Sequence, residues 1–277
     1  MALSSATSLD QLTCWAPLTV IKKLPHNHRV RRMLPPARDT AAAQSPQWAP
    51  RNTKGMMAMA WEQFDNGWRL APADGPATAL VVLLHGVGSN AQDLVPLADI
   101  WREALPQTAF VCLDGSEPFD GGFGGRQWFS LRDVDANNRP DRVAAAWPAL
   151  QNMLDTELAH WQLGYRQLAL VGFSQGSMMS LHHVATNPQG AAAVVAFSGR
   201  LASPVTAHSA TPVTLIHGDA DAVIPVDETE RAAIALHGAG FEVEAFALPG
   251  VGHTISGDGV ALGRDALVRA LAPLARR

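Results

Sequence analysis

A serine between two glycines lies where an apolar segment gives way to a helical one. Gly172-Phe173-Ser174-Gln175-Gly176 fits the pattern G-x-S-x-G, which places a serine at a tight turn between a strand and a helix. Residues 168–171 are apolar, and residues 176–181 have a helical pattern. A serine at such a turn can attack an acyl carbonyl with its hydroxyl group. The alternative is an ordinary strand–turn–helix whose serine only caps the helix.

A serine hydroxyl becomes a good nucleophile only when a base removes its proton, and that base needs an acid to orient it. In this architecture, the acid and the histidine follow the serine at later strand ends. His253, in a glycine-flanked loop, is the best candidate for the base among the ten histidines. Asp219 and Asp221 both follow the apolar strand 212–218. Spacing alone leaves the choice between them open.

Acyl transfer also needs backbone N–H groups directed at the oxygen that becomes negative. One is expected from Gln175, the residue after the serine. The second is expected from the glycine-rich stretch 85–90, where the Val87 N–H is the candidate donor. This stretch could instead be a simple turn. A phosphate-binding loop is disfavoured because its lysine is missing.

The elements that must position these residues alternate from about Trp61 onwards. A hairpin turn is predicted at 65–67, and buried strands are predicted at 79–86, 109–115, 167–173, 191–199, 212–219 and 241–250. Helices are predicted at 91–104, 140–161, from 175, at 226–238 and from about 258. This alternation predicts one α/β domain with a mostly parallel central sheet and helices on both faces.

Two connections bear on access to the site. Only about twelve residues join the strand near 195 to the strand near 215, too few for a cap domain. The glycine-rich loop 115–138 is the insertion long enough to cover the site. A site without a cap favours small to medium substrates.

The first 55 residues differ from the rest. They contain eight Lys and Arg residues, only Asp10 and Asp39 as acids, and several prolines. One interpretation is an organelle transit peptide, and the other is a loose tail or a non-native start upstream of a methionine at 56, 57 or 59. We therefore expect a basic, Pro-rich and disordered or non-native extension over 1–55 and a folded domain over 56–277.

The composition narrows the class of protein. Hydrophobic residues make up 47% and charged residues 17%, which is typical of a soluble globular protein. A net charge of -4 disfavours nucleic-acid binding. No apolar run approaches the roughly 18–20 residues that span a bilayer, so no stable membrane insertion is expected. The oligomeric state stays open, with a homodimer as one alternative.

The cysteines and histidines indicate neither a disulfide framework nor a metal site. Cys14 and Cys112 are too few and too far apart for either, which favours a reducing, cytoplasmic compartment. The adjacent His182 and His183 cannot share a helix face, so no metal is implied. No cofactor is expected.

Six blocks in order resemble the phospholipase/carboxylesterase family of α/β-hydrolases, which includes bacterial carboxylesterases and acyl-protein thioesterases. The blocks are LLHGVGSN, GRQWFSL, GFSQGSM, SGRL, HGDADAVIP and GVGHTI, and the resemblance covers about residues 78–275. It implies the α/β-hydrolase fold for the domain 56–277. It also implies the roles of Ser174 as nucleophile, His253 as base, Asp221 rather than Asp219 as acid, Val87 and Gln175 as oxyanion donors, and Trp128 and Phe129 as a wall of the acyl pocket.

Two positions depart from the family pattern. Ser89 stands where members often have an acid, and Ser130 stands where thioesterases often have aspartate. The expected activity is that of a serine carboxylesterase, which hydrolyses small to medium acyl esters through a Ser-His-Asp triad and an acyl-enzyme. An acyl thioesterase or lysophospholipase is the alternative within this class. A non-catalytic hydrolase-fold binding protein is the alternative from another class.

Overall fold

The structure, a computed structural model, describes residues 61–122 and 124–276. The predicted extension 1–55 and the predicted domain start at 56 lie outside the described residues. The described chain contains the strands β1 (Glu62–Phe64), β2 (Gly67–Leu70), β3 (Ala79–Leu84), β4 (Thr108–Leu113), β5 (Glu117–Pro118), β6 (Arg126–Gln127), β7 (Leu168–Phe173), β8 (Ala193–Phe197), β9 (Pro212–Gly218) and β10 (Glu242–Leu248).

Eight of these strands form one sheet in the order β1-β2-β4-β3-β7-β8-β9-β10. The six strands from β4 to β10 in that order are parallel. β1 and β2 form an antiparallel hairpin that turns at Asp65 and Asn66, as the Asn-Gly signal predicts. β2 also pairs antiparallel with β4. The predicted, mostly parallel sheet is confirmed, and the loops after β3, β7, β9 and β10 leave it at one edge.

Five α-helices cover the two faces of the sheet. They are α1 (Val95–Trp101), α2 (Arg139–Trp161), α3 (Gln175–Thr186), α4 (Asp227–Gly238) and α5 (Gly257–Leu271). Alternate residues of a strand point to opposite faces. Accordingly, Leu80 and Val82 of β3 pack in a core with α2, α3 and α4, whereas Val81 and Leu83 pack in a second core with α1 and α5. Helices therefore lie on both faces, as predicted.

Two segments have more local structure than their sequence patterns predict. The predicted helix 91–104 consists of the short α1 between two 3-10 turns, Ala91–Leu94 and Arg102–Ala104. Pro96 lies at the start of α1 and has no N–H, so the preceding turn cannot continue as a regular α-helix. The predicted loop 115–138 contains the antiparallel pair β5 and β6.

The connection from β8 to β9 carries no cap domain. It runs from 198 to 211 and contains neither a helix nor a strand, which confirms the prediction. Within the described residues, no helix is both long and apolar enough to cross a membrane.

Helix α3 buries two adjacent histidines. His182 Nδ1 lies 2.7 Å from Ser203 Oγ, and His183 Nε2 lies 2.9 Å from the Gly190 carbonyl oxygen. The Trp147 ring packs beside both imidazoles. Burial lowers the pKa of each histidine to about 4, because the protonated ring would lose its hydration.

We expect the melting temperature to fall as the pH drops from about 6.5 to 4. In this window the unfolded chain takes up protons on His182 and His183, while the folded protein keeps both rings neutral. Their contribution to the free energy of unfolding is complete above the unfolded pKa and is lost as the pH falls through the folded pKa.

Calorimetry between about pH 7 and pH 4 measures this dependence. The variants His182→Gln and His183→Gln should each show a weaker decrease in melting temperature than the wild type. Equal decreases in all three proteins would contradict the argument from burial.

Candidate functional site

The chain turns sharply from β7 into α3 at Ser174. β7 ends at Phe173 and α3 begins at Gln175, so a single residue makes the turn. Ser174 has φ 54° and ψ -111°, a conformation that residues other than glycine rarely adopt. Its N–H donates to the Phe197 carbonyl oxygen of β8 at 2.9 Å. The neighbouring strand therefore helps to hold a strained backbone at this position.

Two glycines make this turn possible. A Cβ atom at Gly172 would lie 2.4 Å from the backbone of Gly176 and Ser177, and one at Gly176 would lie 2.0 Å from the Leu84 carbonyl oxygen. Both distances are far below van der Waals contact, and the obstructing atoms are backbone. The close approach of β7, α3 and β3 therefore explains both glycines of the G-x-S-x-G pattern.

We expect Gly176→Ala to destabilise the fold by about 3 kcal/mol or more, because the backbone of β3 must move to admit the methyl group. Gly238→Ala is the matched control, since a Cβ atom there meets nothing within 4 Å. This control should be neutral or stabilising by up to about 1 kcal/mol. Urea denaturation of both variants measures the difference. If Gly176→Ala and Gly238→Ala are equally stable, the β3 backbone can move to admit the methyl group at little cost, which would contradict the prediction.

His253 connects Ser174 to an acid from a different loop. It lies between β10 and α5, and its Nε2 is 3.0 Å from Ser174 Oγ. Its Nδ1 is 2.7 Å from Asp221 Oδ2, in the loop after β9. The Phe173 ring lies against the imidazole, with 5.0 Å between the ring centroids. Three side chains that are far apart in the sequence thus form one continuous chain of hydrogen bonds.

The Asp221 carboxylate is held from two sides. Oδ1 accepts the backbone N–H groups of Val223 and Ile224 at 2.8 and 2.9 Å, which leaves Oδ2 to accept from His253. Burial by itself would raise the pKa of Asp221, but the hydrogen bonds from His253, Ile224 and Val223 outweigh it and lower the pKa. The carboxyl group is therefore ionised at neutral pH.

Asp219, the other acid candidate, points to a different partner. Its Oδ1 accepts the Gly250 N–H at 2.7 Å, and the residue is exposed. It holds the turn after β10 in place, whereas Asp221 is the carboxylate beside His253. The structure thus separates two residues that their spacing could not separate.

His217, at the end of β9, contacts the same carboxylate, and sequence reasoning missed this. Its ring is fully buried, with Nε2 3.2 Å from Asp221 Oδ2 and 2.8 Å from the Ile224 carbonyl oxygen. Nδ1 lies 2.7 Å from the Thr229 hydroxyl. A neutral ring with its proton on Nε2 satisfies these contacts, and burial lowers the pKa of His217 accordingly. The signal available in the sequence was its position four residues before Asp221.

The two segments predicted to supply the oxyanion donors both lie next to Ser174. Gln175 is the first residue of α3, so its N–H is one of those a helix leaves unpaired at its start. The other candidate, Val87, follows Gly86, where a Cβ atom would be 3.3 Å from Ser174 Cβ. The next residue, Gly88, donates its N–H to the Arg126 carbonyl oxygen at 2.8 Å. The loop after β3 is thereby pinned to β6.

Trp128 and Phe129 are connected to the serine turn by the Gln175 side chain. Gln175 Oε1 accepts the Trp128 N–H at 2.8 Å, and Gln175 Nε2 donates to the Phe129 carbonyl oxygen at 2.7 Å. Both aromatic residues are buried in the core that contains α3. The sequence predicts only a backbone role for Gln175, and these side-chain contacts become visible only in the structure.

His85 braces the loop after β3, another role that the sequence did not reveal. Its ring is fully buried, with Nδ1 2.6 Å from the Gly86 carbonyl oxygen, and Nε2 accepts the Gly115 N–H at 2.9 Å. The His85 carbonyl oxygen accepts the Trp128 indole N–H at 2.9 Å. Burial lowers the pKa of His85, so the ring is neutral in this position. The loop is thereby tied to both ends of the segment 115–128.

The fold and the site define a member of the phospholipase/carboxylesterase family of α/β-hydrolases. The model of that family matches residues 66–266, so the chain belongs to it. The sequence is 38% identical over 187 residues to Esterase YpfH of Escherichia coli (strain K12), a match that covers 66% of this chain and 78% of that protein.

Two further comparisons agree. Acyl-protein thioesterase 1 of Gibberella zeae is 26% identical over 211 residues, which cover 67% of this chain and 89% of that protein. The crystal structure of esterase PE8 superposes with a TM-score of 0.70 and 35% identity, over 74% of this chain and 99% of that chain. Together with the family model, these matches confirm the predicted family and fold.

Proposed function

We propose that Ser174, His253 and Asp221 form the catalytic triad of a serine carboxylesterase. Membership of the phospholipase/carboxylesterase family makes the chain a carboxylic ester hydrolase. Two contacts support this proposal: Ser174 Oγ lies 3.0 Å from His253 Nε2, and His253 Nδ1 lies 2.7 Å from Asp221 Oδ2. This is the geometry that activates a serine hydroxyl.

Acylation begins when Ser174 Oγ attacks the ester carbonyl carbon and its proton passes to His253 Nε2. The carbonyl oxygen becomes negative and accepts hydrogen bonds from the Val87 and Gln175 N–H groups. Asp221 stabilises the imidazolium that forms, and its lowered pKa keeps it ionised for this purpose. His253 then protonates the leaving alcohol, which leaves an acyl group on Ser174.

Deacylation repeats the sequence with water. His253 removes a proton from a water molecule, which attacks the acyl-enzyme carbonyl carbon, and the same two N–H groups bind the oxyanion. When the intermediate collapses, the proton on His253 returns to Ser174 Oγ and the carboxylic acid leaves.

The surroundings of Ser174 favour small to medium acyl groups. Within the described residues, the short connection 198–211 adds no cap, and the loop that contains β5 and β6 is hydrogen-bonded to the loop after β3. The backbones of Trp128 and Phe129 are held beside the serine turn by the Gln175 side chain, which supports the proposal that these residues limit the acyl pocket.

A fluorophosphonate probe tests the proposal directly. We expect one adduct per chain, located on Ser174 by mass spectrometry of peptides. Hydrolysis should be fastest with para-nitrophenyl esters of short and medium acids. A chain that neither reacts with the probe nor hydrolyses any ester would instead be a binding protein with a hydrolase fold.

The second candidate is an acyl thioesterase, because one of the relatives carries that name. Against it, Ser130 occupies the position at which thioesterases of the family often have aspartate. Comparing kcat/KM for matched acyl esters, acyl thioesters and lysophosphatidylcholine separates the two activities from each other and from a lysophospholipase.

Two further proposals concern the whole chain. Cys112 is a buried free thiol, which supports a reducing, cytoplasmic location. The family match beginning at residue 66 supports a hydrolase domain that starts near 56 and excludes the basic segment 1–55. Cell fractionation tests the first proposal, and N-terminal mass spectrometry of the natural protein tests the second.

A further inference from the structure

An arginine follows the strand next to the nucleophile. β8 ends at Phe197, and a Cβ atom at Gly199 would lie 3.5 Å from the Ser174 carbonyl oxygen, so the start of the next loop packs against the serine turn. Arg200 comes immediately afterwards. It therefore lies at the edge of the sheet that carries Ser174 and Asp221, between the ends of β7 and β9.

The charge of Arg200 is only partly neutralised. Its side chain is 19% exposed, and its NH1 atom lies 3.8 Å from Glu228 Oε1. That same carboxylate oxygen lies 2.7 Å from the Arg231 guanidinium, which is its closer partner. In the described part of the chain, the buried Nε–H of Arg200 has no hydrogen-bond partner. A buried donor without a partner is costly, and an acceptor from outside the chain would relieve that cost.

A second arginine increases the positive charge. Arg139 is the first residue of α2, where a cation opposes the helix dipole, so helix stability does not explain it. Burial and the like charge of Arg200 lower the pKa of Arg139, while Glu228 and Asp135 partly offset them. Glu228 is thus shared, since its carboxylate lies near both Arg200 and Arg231 and also acts on Arg139.

We propose that Arg200 and Arg139 bind an anionic group, a carboxylate or a phosphate, on the ester that Ser174 hydrolyses. This inference rests on the proposed esterase function and names its substrate class. A guanidinium offers paired N–H donors that match the oxygens of either group, and the free Nε–H of Arg200 supplies one of them. The N-terminus of the long helix α2 adds favourable dipole charge.

Two substrate pairs test the proposal and distinguish where the anion lies. Para-nitrophenyl hexanoate and the para-nitrophenyl monoester of adipic acid share an acyl chain of equal length, and only the second carries a carboxylate. Hexanoylglycerol and hexanoylglycerol phosphate differ by a phosphate on the alcohol. We expect the wild type to prefer the charged member of at least one pair.

The variants Arg200→Gln and Arg139→Gln should reduce the charged-to-neutral ratio of kcat/KM for the preferred pair, mainly through KM. For Arg200→Gln we expect a decrease of roughly ten- to a hundredfold. Arg200→Lys should restore part of the ratio, because it keeps the charge but not the paired donors. Arg264→Gln, which removes an exposed arginine of α5 paired with Asp265, is the control and should keep the wild-type ratio.

A wild type without preference in either pair, or Arg200→Gln and Arg139→Gln with unchanged ratios, would overturn the proposal. So would equal losses on charged and neutral esters together with a lower melting temperature, since these indicate a structural arginine. If Arg200→Gln does not fold, the Arg139→Gln variant decides. Failure of the proposed esterase function is recognised separately, because the wild type would then hydrolyse neither member of any pair.

Discussion

Replacing Ser174 with alanine should lower kcat for ester hydrolysis by at least about 10⁴-fold, the loss seen when a serine hydrolase loses its nucleophile. Among the described residues 61–122 and 124–276, Ser174 supplies the hydroxyl that contacts His253 Nε2, at 3.0 Å. The residual rate would come from backbone N–H groups that polarise the ester carbonyl for attack by water. An assay with para-nitrophenyl butyrate measures the loss of hydrolysis, and the fluorophosphonate probe measures the loss of labelling at residue 174.

The fold should not change in this variant. Alanine keeps the Cβ atom, and the backbone turn is held by the Ser174 N–H bond to Phe197, which alanine can also make. Ser203→Ala is the control, since Ser203 is a buried serine whose hydroxyl contacts His182 rather than the site. It should keep the wild-type rate. Retained hydrolysis and retained labelling in Ser174→Ala would refute the assignment of the nucleophile.

The second large effect is expected for Asp221→Asn, which should lower kcat by about 10⁴-fold with little change in KM. The N–H groups of Val223 and Ile224 both point at Oδ1, so an asparagine must place its amide oxygen there. Its NH₂ group then faces His253 Nδ1. The imidazole must accept at Nδ1 and carry its proton on Nε2, where it can no longer take the proton of Ser174.

Asp219→Asn is the matched control, two residues away in the same loop. The Asp219 side chain accepts the Gly250 N–H, and an amide oxygen can do the same. We expect near-normal hydrolysis from this variant. Steady-state kinetics with one neutral ester measure both variants, and a similar loss in the two would mean that the loop as a whole, and not the Asp221 carboxylate, supports catalysis.

Much of the fold and the site could be predicted from the sequence because their signals are local. Apolar strands and helical spacing alternate over short stretches, and each is read within about ten residues. The G-x-S-x-G pattern is local as well, since a single tight turn requires both glycines. A Cβ atom at Gly176, for example, would collide with the Leu84 carbonyl oxygen. The class of fold and the position of Ser174 followed from such patterns.

The partners of Ser174 depend on which way side chains point after the strands end. Asp219 and Asp221 leave β9 together, and only the direction of the loop turns one toward Gly250 and the other toward His253. The family resemblance favoured Asp221, but the residues themselves did not. Loop direction is decided by contacts with distant segments, which a spacing of two residues cannot reveal.

The sequence by itself determined the order of strands and helices along the chain, the serine turn and the absence of a cap between β8 and β9, because these follow from short-range sterics and connection length. Only the tertiary structure decided the supports around them: His217 beneath Asp221, the Gln175 side chain between Trp128 and Phe129, and Arg200 with its free N–H. The Gln175 side chain contacts a segment far from it in the chain, and the sheet must first bring the two segments together. His217 and Asp221 are only four residues apart, but the direction of their side chains, like that of Arg200, depends on how the loops after the strands pack.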